Sequence, residues 1–215
     1  DALEEALQSS CYNLPELGGR TAILVDLSGS MASRISLKST IKLREIASLF
    51  GVLVKKMGGQ NAFLLPFGTQ TEIVNLLSRG SILGAVEKVQ GMVLGGNTFL
   101  HLPLELMIQE QINVDRIIIF SDMQVYDSNR GSYPGMDMGL AHKATERYKR
   151  KINPKVWIHS VDLAGYGTSQ IAPNGRLNLI SGWHDSILNY IKLVEDGLDN
   201  QIKSIEGGFN KKGEC

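Results

Sequence analysis

Two apolar runs in this chain stop on an aspartate, and that repetition limits the fold more than any other feature. Residues 21–25 read Thr-Ala-Ile-Leu-Val and lead into Asp26, while 117–120 read Ile-Ile-Ile-Phe and lead through Ser121 into Asp122. Short uninterrupted runs of aliphatic and β-branched residues are the pattern of strands covered on both faces, as in a parallel sheet. The residues just after the first run are equally specific. Asp26, Ser28 and Ser30 place one carboxylate and two hydroxyls at alternate positions, with Gly29 between the serines. Mg²⁺ and Mn²⁺ take oxygen ligands at about 2.0–2.2 Å in octahedral geometry, and small oxygen-bearing residues around a glycine let the backbone wrap that closely. Taken alone, the same residues are also what a helix cap requires.

The remainder of the chain alternates strand and helix patterns. Residues 1–11 read as a short amphipathic helix and 13–19 as a linker, before a strand at 20–26. The apolar spacing predicts a helix over 35–57, a strand at 61–67, and a shorter antiparallel edge strand at 71–76 forming a hairpin with it. Helices come next at 81–90, capped by Ser81, and at 100–112, with Pro103 in the first turn. Between them lies the glycine loop Gly95-Gly96-Asn97-Thr98. A strand at 114–121 delivers Asp122. Then come a polar loop at 126–135, a helix at 136–151, strands at 155–163 and 175–180, and a closing helix at 185–205. This order predicts an α/β domain, doubly wound, with a mostly parallel sheet, one antiparallel edge strand and helices on both faces. The expected organisation is an N-terminal helix and linker (1–19), one domain (20–206) and a flexible tail (207–215). Ligands of such sheets bind beyond the carboxyl ends of the strands, where Asp26, Thr98 and Asp122 all belong.

Composition narrows the function classes. The 215 residues carry 22 basic and 22 acidic side chains, so no net field draws the chain to nucleic acid or to a membrane. No apolar run reaches membrane-spanning length, and no membrane partner is expected. Cys11 and Cys215 offer no metal or redox spacing. Two free thiols in a cytoplasmic protein is the expectation. The chain begins at Asp1 without Met, as an excised fragment would. The strongest local charge feature is the basic run Lys143, Arg147, Arg150 and Lys151, with Lys149 and Lys155 beside it. It is a candidate RNA contact, weighed against an ordinary solvated helix face. Met123, Met136 and Met138 flank the aspartate edge and are expected to pack beneath its loops.

Catalysis finds little support. Aspartyl phosphotransfer uses a second carboxylate two positions after the first, and here that position is Ser28. No Gly-x-Ser-x-Gly elbow occurs, and His101, His142, His159 and His184 are scattered, each read as an ordinary surface or half-buried residue. No enzyme is expected.

The series Asp26-x-Ser28-x-Ser30, Thr98, Asp122 resembles the metal-ion-dependent adhesion site of von Willebrand factor type A domains, with all five positions filled in order. The family places Gly after its last Asp, where this chain has Met123. Within the family, the short helix, the lead-in Pro15-Glu16-Leu17-Gly18-Gly19-Arg20, the stretch from Val25 to Met31 and Phe120-Ser121-Asp122 resemble the C-terminal type A domain of Ro autoantigen (TROVE) proteins. That resemblance implies Mg²⁺ or Mn²⁺, contacted by Ser28, Ser30 and Thr98 with Asp26 and Asp122 holding its waters. It also implies a protein partner donating a carboxylate to the metal, and noncoding (Y) RNA bound by a helical-repeat ring absent from this chain. The alternative is an adhesion-type or complex-assembly domain unrelated to RNA.

Overall fold

The structure is a computed structural model, and it describes residues 2–11, 14–77, 80–124, 139–167, 171, 175–184 and 186–197. Five parallel strands form its sheet: β1 (Thr21–Asp26), β2 (Ala62–Phe67), β3 (Arg116–Ser121), β4 (Trp157–Asp162) and β5 (Leu177–Ser181), in the order β2-β1-β3-β4-β5. Around it lie α1 (Ala2–Cys11), α2 (Leu43–Gly58), α3 (Ile82–Gln90), α4 (His101–Gln109), α5 (Gly139–Lys151) and α6 (Ile187–Asp196). From β1 the chain winds one way to β2 and the other way to β3. The switch point therefore falls between β1 and β3, and a crevice opens there at the carboxyl edge.

Alternation along the strands decides which helices cover which face. Ile23, Val25, Ile118, Phe120 and Val161 point into one core with α2, α3 and α6. Ala22, Leu24, Ile117, Ile119 and Ile158 point into the other with α4 and α5. The two-sided burial that the continuous apolar runs predict is thus present, and β1 and β3 are buried at every position. Gly51 sets how close α2 lies: a Cβ there would stand 2.5 Å from the Val25 Cγ2. On the same face the rings of Phe50 and Phe120 stack at 5.7 Å.

α1 is docked by its charge. The Glu4 carboxylate accepts from the Ile82 and Leu83 backbone N–H groups at 2.7 and 3.0 Å and from the Ser81 hydroxyl at 2.9 Å. These backbone bonds at the N-terminus of α3 hold the Glu4 carboxyl down at about 2. Ser81 caps α3, accepting from Gly84 N–H, as expected.

Two expectations need correction. The segment 71–76 is not a strand. It makes only isolated antiparallel bridges, Leu64 with Val74 and Phe67 with Thr71, so the sheet is parallel throughout its described strands. The helix expected from residue 35 begins at Leu43. Residues 33–43 instead fold back on themselves: Leu43 N–H donates to Ser33 C=O and Ile35 N–H to Ile41 C=O, both at 3.0 Å. The Ser39 hydroxyl, accepting from Ile41 N–H, offers the backbone a local partner that competes with a helix. α2 starts where Glu45 reaches back to the Lys42 N–H. The loop 126–135, the end of the closing helix beyond 197, the tail, and Met136 and Met138 lie outside the described residues.

Candidate metal centre

β1 ends on Asp26, whose side chain is fully buried. One carboxylate oxygen accepts from the Ser28 N–H at 2.9 Å, which folds the chain into a tight turn, and the other accepts from the Ser121 hydroxyl at 2.6 Å. That turn brings the Ser28 and Ser30 hydroxyls within 3.3 Å of each other. Ser28 is buried, and Ser30 opens a short 3₁₀ turn through Ala32.

The glycine loop is tied to this turn by its backbone. Gly29 N–H donates to Gly96 C=O at 2.9 Å, and Asn97 N–H donates to the Thr69 hydroxyl at 3.1 Å. Gly95 takes φ of +86°, and a Cβ there would stand 2.5 Å from Thr69. Only glycine passes without strain. The loop so held carries Thr98 in a buried position at the same edge, just before α4. Asp122, leaving β3, is buried as well, and one of its oxygens accepts from Gln124 N–H at 3.1 Å.

The five residues singled out in the sequence thus come from segments at the carboxyl edge of β1 and β3, where the switch point lies, and they bring three hydroxyls and two carboxylates to that edge. Among the described residues neither carboxylate has an ion pair. Burial, aided by the negative charge of Asp122, pushes the Asp26 carboxyl up to about 6 against the pull of the Ser121 and Ser28 hydrogen bonds. Negative charge with no cation beside it, among hard oxygen donors, suits a divalent cation. Among the described residues no three His, Cys, Asp or Glu side chains cluster as a metal-binding group, so hydroxyls are needed to fill such a shell.

Met123 occupies the position at which the type A pattern has glycine, and its φ is +61°. This is the left-handed conformation that glycine adopts freely and methionine does not. Its N–H donates to the Ser121 hydroxyl at 3.0 Å, and its sulfur accepts from the Ser160 hydroxyl at 3.2 Å. The side chain is buried, so Met123 packs beneath the edge as expected. It also walls a cleft of about 80 Å³ with Ser160, Asp162, Leu179 and Ser181. A larger cavity of about 200 Å³ lies at the other end of the sheet, between the 16–19 lead-in and α2.

Sequence reasoning assigns no role to Ser121 or Asp162. The parallel register sets Val25 beside Phe120, and hence Asp26 beside Ser121, with Asp162 next in the row. Asp162 is a third strand-ending carboxylate, but its oxygens accept from the N–H groups of Ala164, Gly165 and Gly167. A hydroxyl just before a strand-ending Asp is the available signal for Ser121. His159 is a correction: it is fully buried and bonded to Glu195 at 2.8 Å. The His101 ring lies 5.5 Å from that of Phe99.

On the opposite face of the sheet, α5 carries the basic run. Lys143, Arg150 and Lys151 are exposed, whereas Arg147 pairs with Glu105 on α4.

No protein-family model matches the chain, and no curated protein matches it in sequence. Solved structures do. The Ro (RSR) protein of Deinococcus radiodurans matches 88% of this chain at 21% identity with a TM-score of 0.69, and the chain spans 36% of the length of that protein. BatB, a conserved hypothetical protein of Bacteroides thetaiotaomicron, matches 81% of this chain and 95% of its own at 15% identity, with a TM-score of 0.53. An aerotolerance-related membrane protein of Bacteroides fragilis gives 81% and 97% at 14% identity and a TM-score of 0.50. The fold is thus a doubly wound α/β fold, and it is like that of part of the Ro protein. Among the described residues no helix is long and apolar enough to cross a membrane.

Proposed function

We propose that this domain is a divalent-metal-dependent binding module that docks an acidic group of a protein partner at the carboxyl edge of its sheet. The observation that carries the reading is the pair of buried carboxylates, Asp26 and Asp122, at the switch point with no basic partner among the described residues, beside the hydroxyls of Ser28, Ser30 and Thr98. Mg²⁺ or Mn²⁺ held by these five residues would supply a positive centre that attracts a carboxylate or phosphate from outside. The chain's own contribution is orientation. Ser121 and the Ser28 N–H fix both oxygens of Asp26, and the Gly29–Gly96 bond fixes the glycine loop relative to it. The loops 31–34 and 94–100 would shape the partner's approach.

Likeness to the Ro protein supports a setting in a cytoplasmic ribonucleoprotein, with noncoding RNA held by a module outside this chain. Within that reading Lys143, Arg150 and Lys151 would touch phosphates, with Arg147 contributing less because Glu105 already engages it. A binding role is favoured over phosphotransfer, because Ser28 stands where a second catalytic carboxylate would be required.

Calorimetry with Mg²⁺ and Mn²⁺ on the wild type and on Ser28→Ala tests the proposal. Loss of one hydroxyl at almost unchanged volume should weaken metal binding about tenfold or more, since a charge-assisted contact is worth ~1.5–3 kcal/mol. Equal affinity in both proteins, or none in the wild type at millimolar metal, refutes it.

A further inference from the structure

The loop directly after the metal turn has a composition that the metal reading leaves unexplained. Residues 33–44 contain Arg34, Lys38, Lys42 and Arg44 and no acidic residue, in a chain whose net charge is zero. Folded back through its Ser33–Leu43 and Ile35–Ile41 bonds, this segment is a small hairpin, with the bridge between Arg34 and Lys42 at its base. Its root, Ser33, lies three residues beyond Ser30, so it rises from the rim of the carboxylate crevice. At its tip Leu37 is 101% exposed, and Ile41 on its returning arm is 42% exposed.

A second loop meets the foot of the hairpin. There the Arg44 guanidinium, in the first turn of α2, donates to Gln90 C=O at 2.6 Å and to Met92 C=O at 3.4 Å, which ties that foot to the strip leading into the glycine loop. On that strip Val93 is 92% exposed, five residues before Thr98. Residues 92–99 carry no charge. The rim of the crevice therefore combines exposed aliphatic side chains with positive charge, and its backbone is pinned by hydrogen bonds. Exposed Leu and Val beside cations have no value for a phosphate backbone, which is read by charge and by stacking on aromatic rings. They suit a polypeptide whose acidic residues alternate with apolar ones.

We propose that the 33–44 hairpin and Val93 form the docking surface for an acidic segment of a partner protein that carries apolar residues beside its carboxylates. The surface extends the metal-docking reading and rests on it, in that one carboxylate of the segment reaches the crevice while its neighbours lie on Leu37, Ile41 and Val93. Lys38, exposed at the tip, meets the remaining negative charge.

Fluorescence anisotropy with three labelled probes of equal charge tests it: a peptide alternating Glu and Leu, an oligoglutamate and an oligouridylate. In millimolar Mg²⁺ the Glu-Leu peptide should bind about tenfold more tightly than the oligoglutamate, as partial burial of one or two aliphatic side chains allows. The double variant Leu37→Ser/Val93→Ser should abolish that advantage while its Mg²⁺ affinity by calorimetry stays unchanged. Lys38→Glu should weaken both peptides severalfold. Equal binding of the two peptides to the wild type, or an advantage that survives the double variant, overturns the proposal. Tightest binding of the oligouridylate overturns it in favour of a nucleic-acid surface. If the leucine-dependent advantage is present but neither Mg²⁺ nor Ser28→Ala affects it, the hairpin surface stands and the metal-docking reading falls.

Discussion

At the amino ends of the strands this protein buries a positive charge and satisfies it, whereas at the carboxyl ends it buries the carboxylates of Asp26, Asp122 and Asp162, none with an ion pair among the described residues. Arg116, the first residue of β3, sends two nitrogens to the Glu195 carboxylate at 2.7 and 2.8 Å and a third to the Thr21 hydroxyl at 2.9 Å. Glu195, on α6, also meets His159 Nε2, while Asn178 meets the other ring nitrogen at 3.2 Å. Burial pushes the Glu195 carboxyl up, but the bonds and charges of His159 and Arg116 together bring it below its ordinary value. Asp26 is displaced the other way. Each end therefore uses its rigidity differently. One locks α6 to the sheet, and the other, in the function proposed above, holds charge for a cation from outside.

Disrupting the satisfied end should cost the most. Arg116→Ala leaves Glu195 buried without its guanidinium and should lower unfolding free energy by ~3–5 kcal/mol in urea denaturation. A loss below ~1 kcal/mol would mean that the network contributes little beyond packing.

At the other end the sign reverses. Asp26→Asn removes a charge that the metal-free fold accommodates badly, and should stabilise it by ~1–3 kcal/mol at pH 7. Destabilisation by a similar amount would show that the Ser121 and Ser28 bonds outweigh the burial of charge.

Acid should separate the two ends without any mutation. Asp26 has a folded pKa raised from 3.8 to about 6, so the native state holds its proton where the unfolded chain has lost it. Its contribution to stability therefore falls as pH rises between those values. Glu195 has a lowered folded pKa, so its contribution is present above the ordinary value of 4.5 and is lost as pH falls through the folded value. Stability of metal-free protein should thus rise from pH 7 to about pH 5 and then fall on further acidification. Asp26→Asn should remove the rise, and Glu195→Gln should blunt the fall. A profile unchanged by either variant would sever the contrast between the ends.

A smaller change tests their independence. Mg²⁺ at ten times its dissociation constant should raise wild-type stability by ~1.4 kcal/mol and raise Arg116→Ala by the same amount, because the two ends share no partner. The increment should vanish in Asp122→Ala. A thermal shift that persists in that variant would place the ion elsewhere.

How much of this is legible in the sequence depends on the range of the interaction. Strands ending at Asp26 and Asp122 can be read because the apolar runs and their polar stops are local, and the structure has both residues at strand ends. The Ser81 cap is legible for the same reason. The start of α2 is not, because the apolar spacing of 35–42 fits a helix, while the Ser39 hydroxyl and the Ser33–Leu43 bond hold it as a hairpin. Residues 71–76 have strand composition, yet they make only two isolated bridges beside β2.

Neighbouring residues were enough to specify the class of fold, the carboxylates at the strand ends and the order of hydroxyls around them, since hydrophobic periodicity and turn chemistry are written locally. They could not specify that Ser121 bonds Asp26 across 95 residues, that Arg116, His159 and Glu195 converge under α6, or that Met123 is held at positive φ. Each of these depends on which strands are neighbours and in what register. Register is set by the packing of whole helices on both faces of the assembled sheet, and no local stretch of chain contains that information.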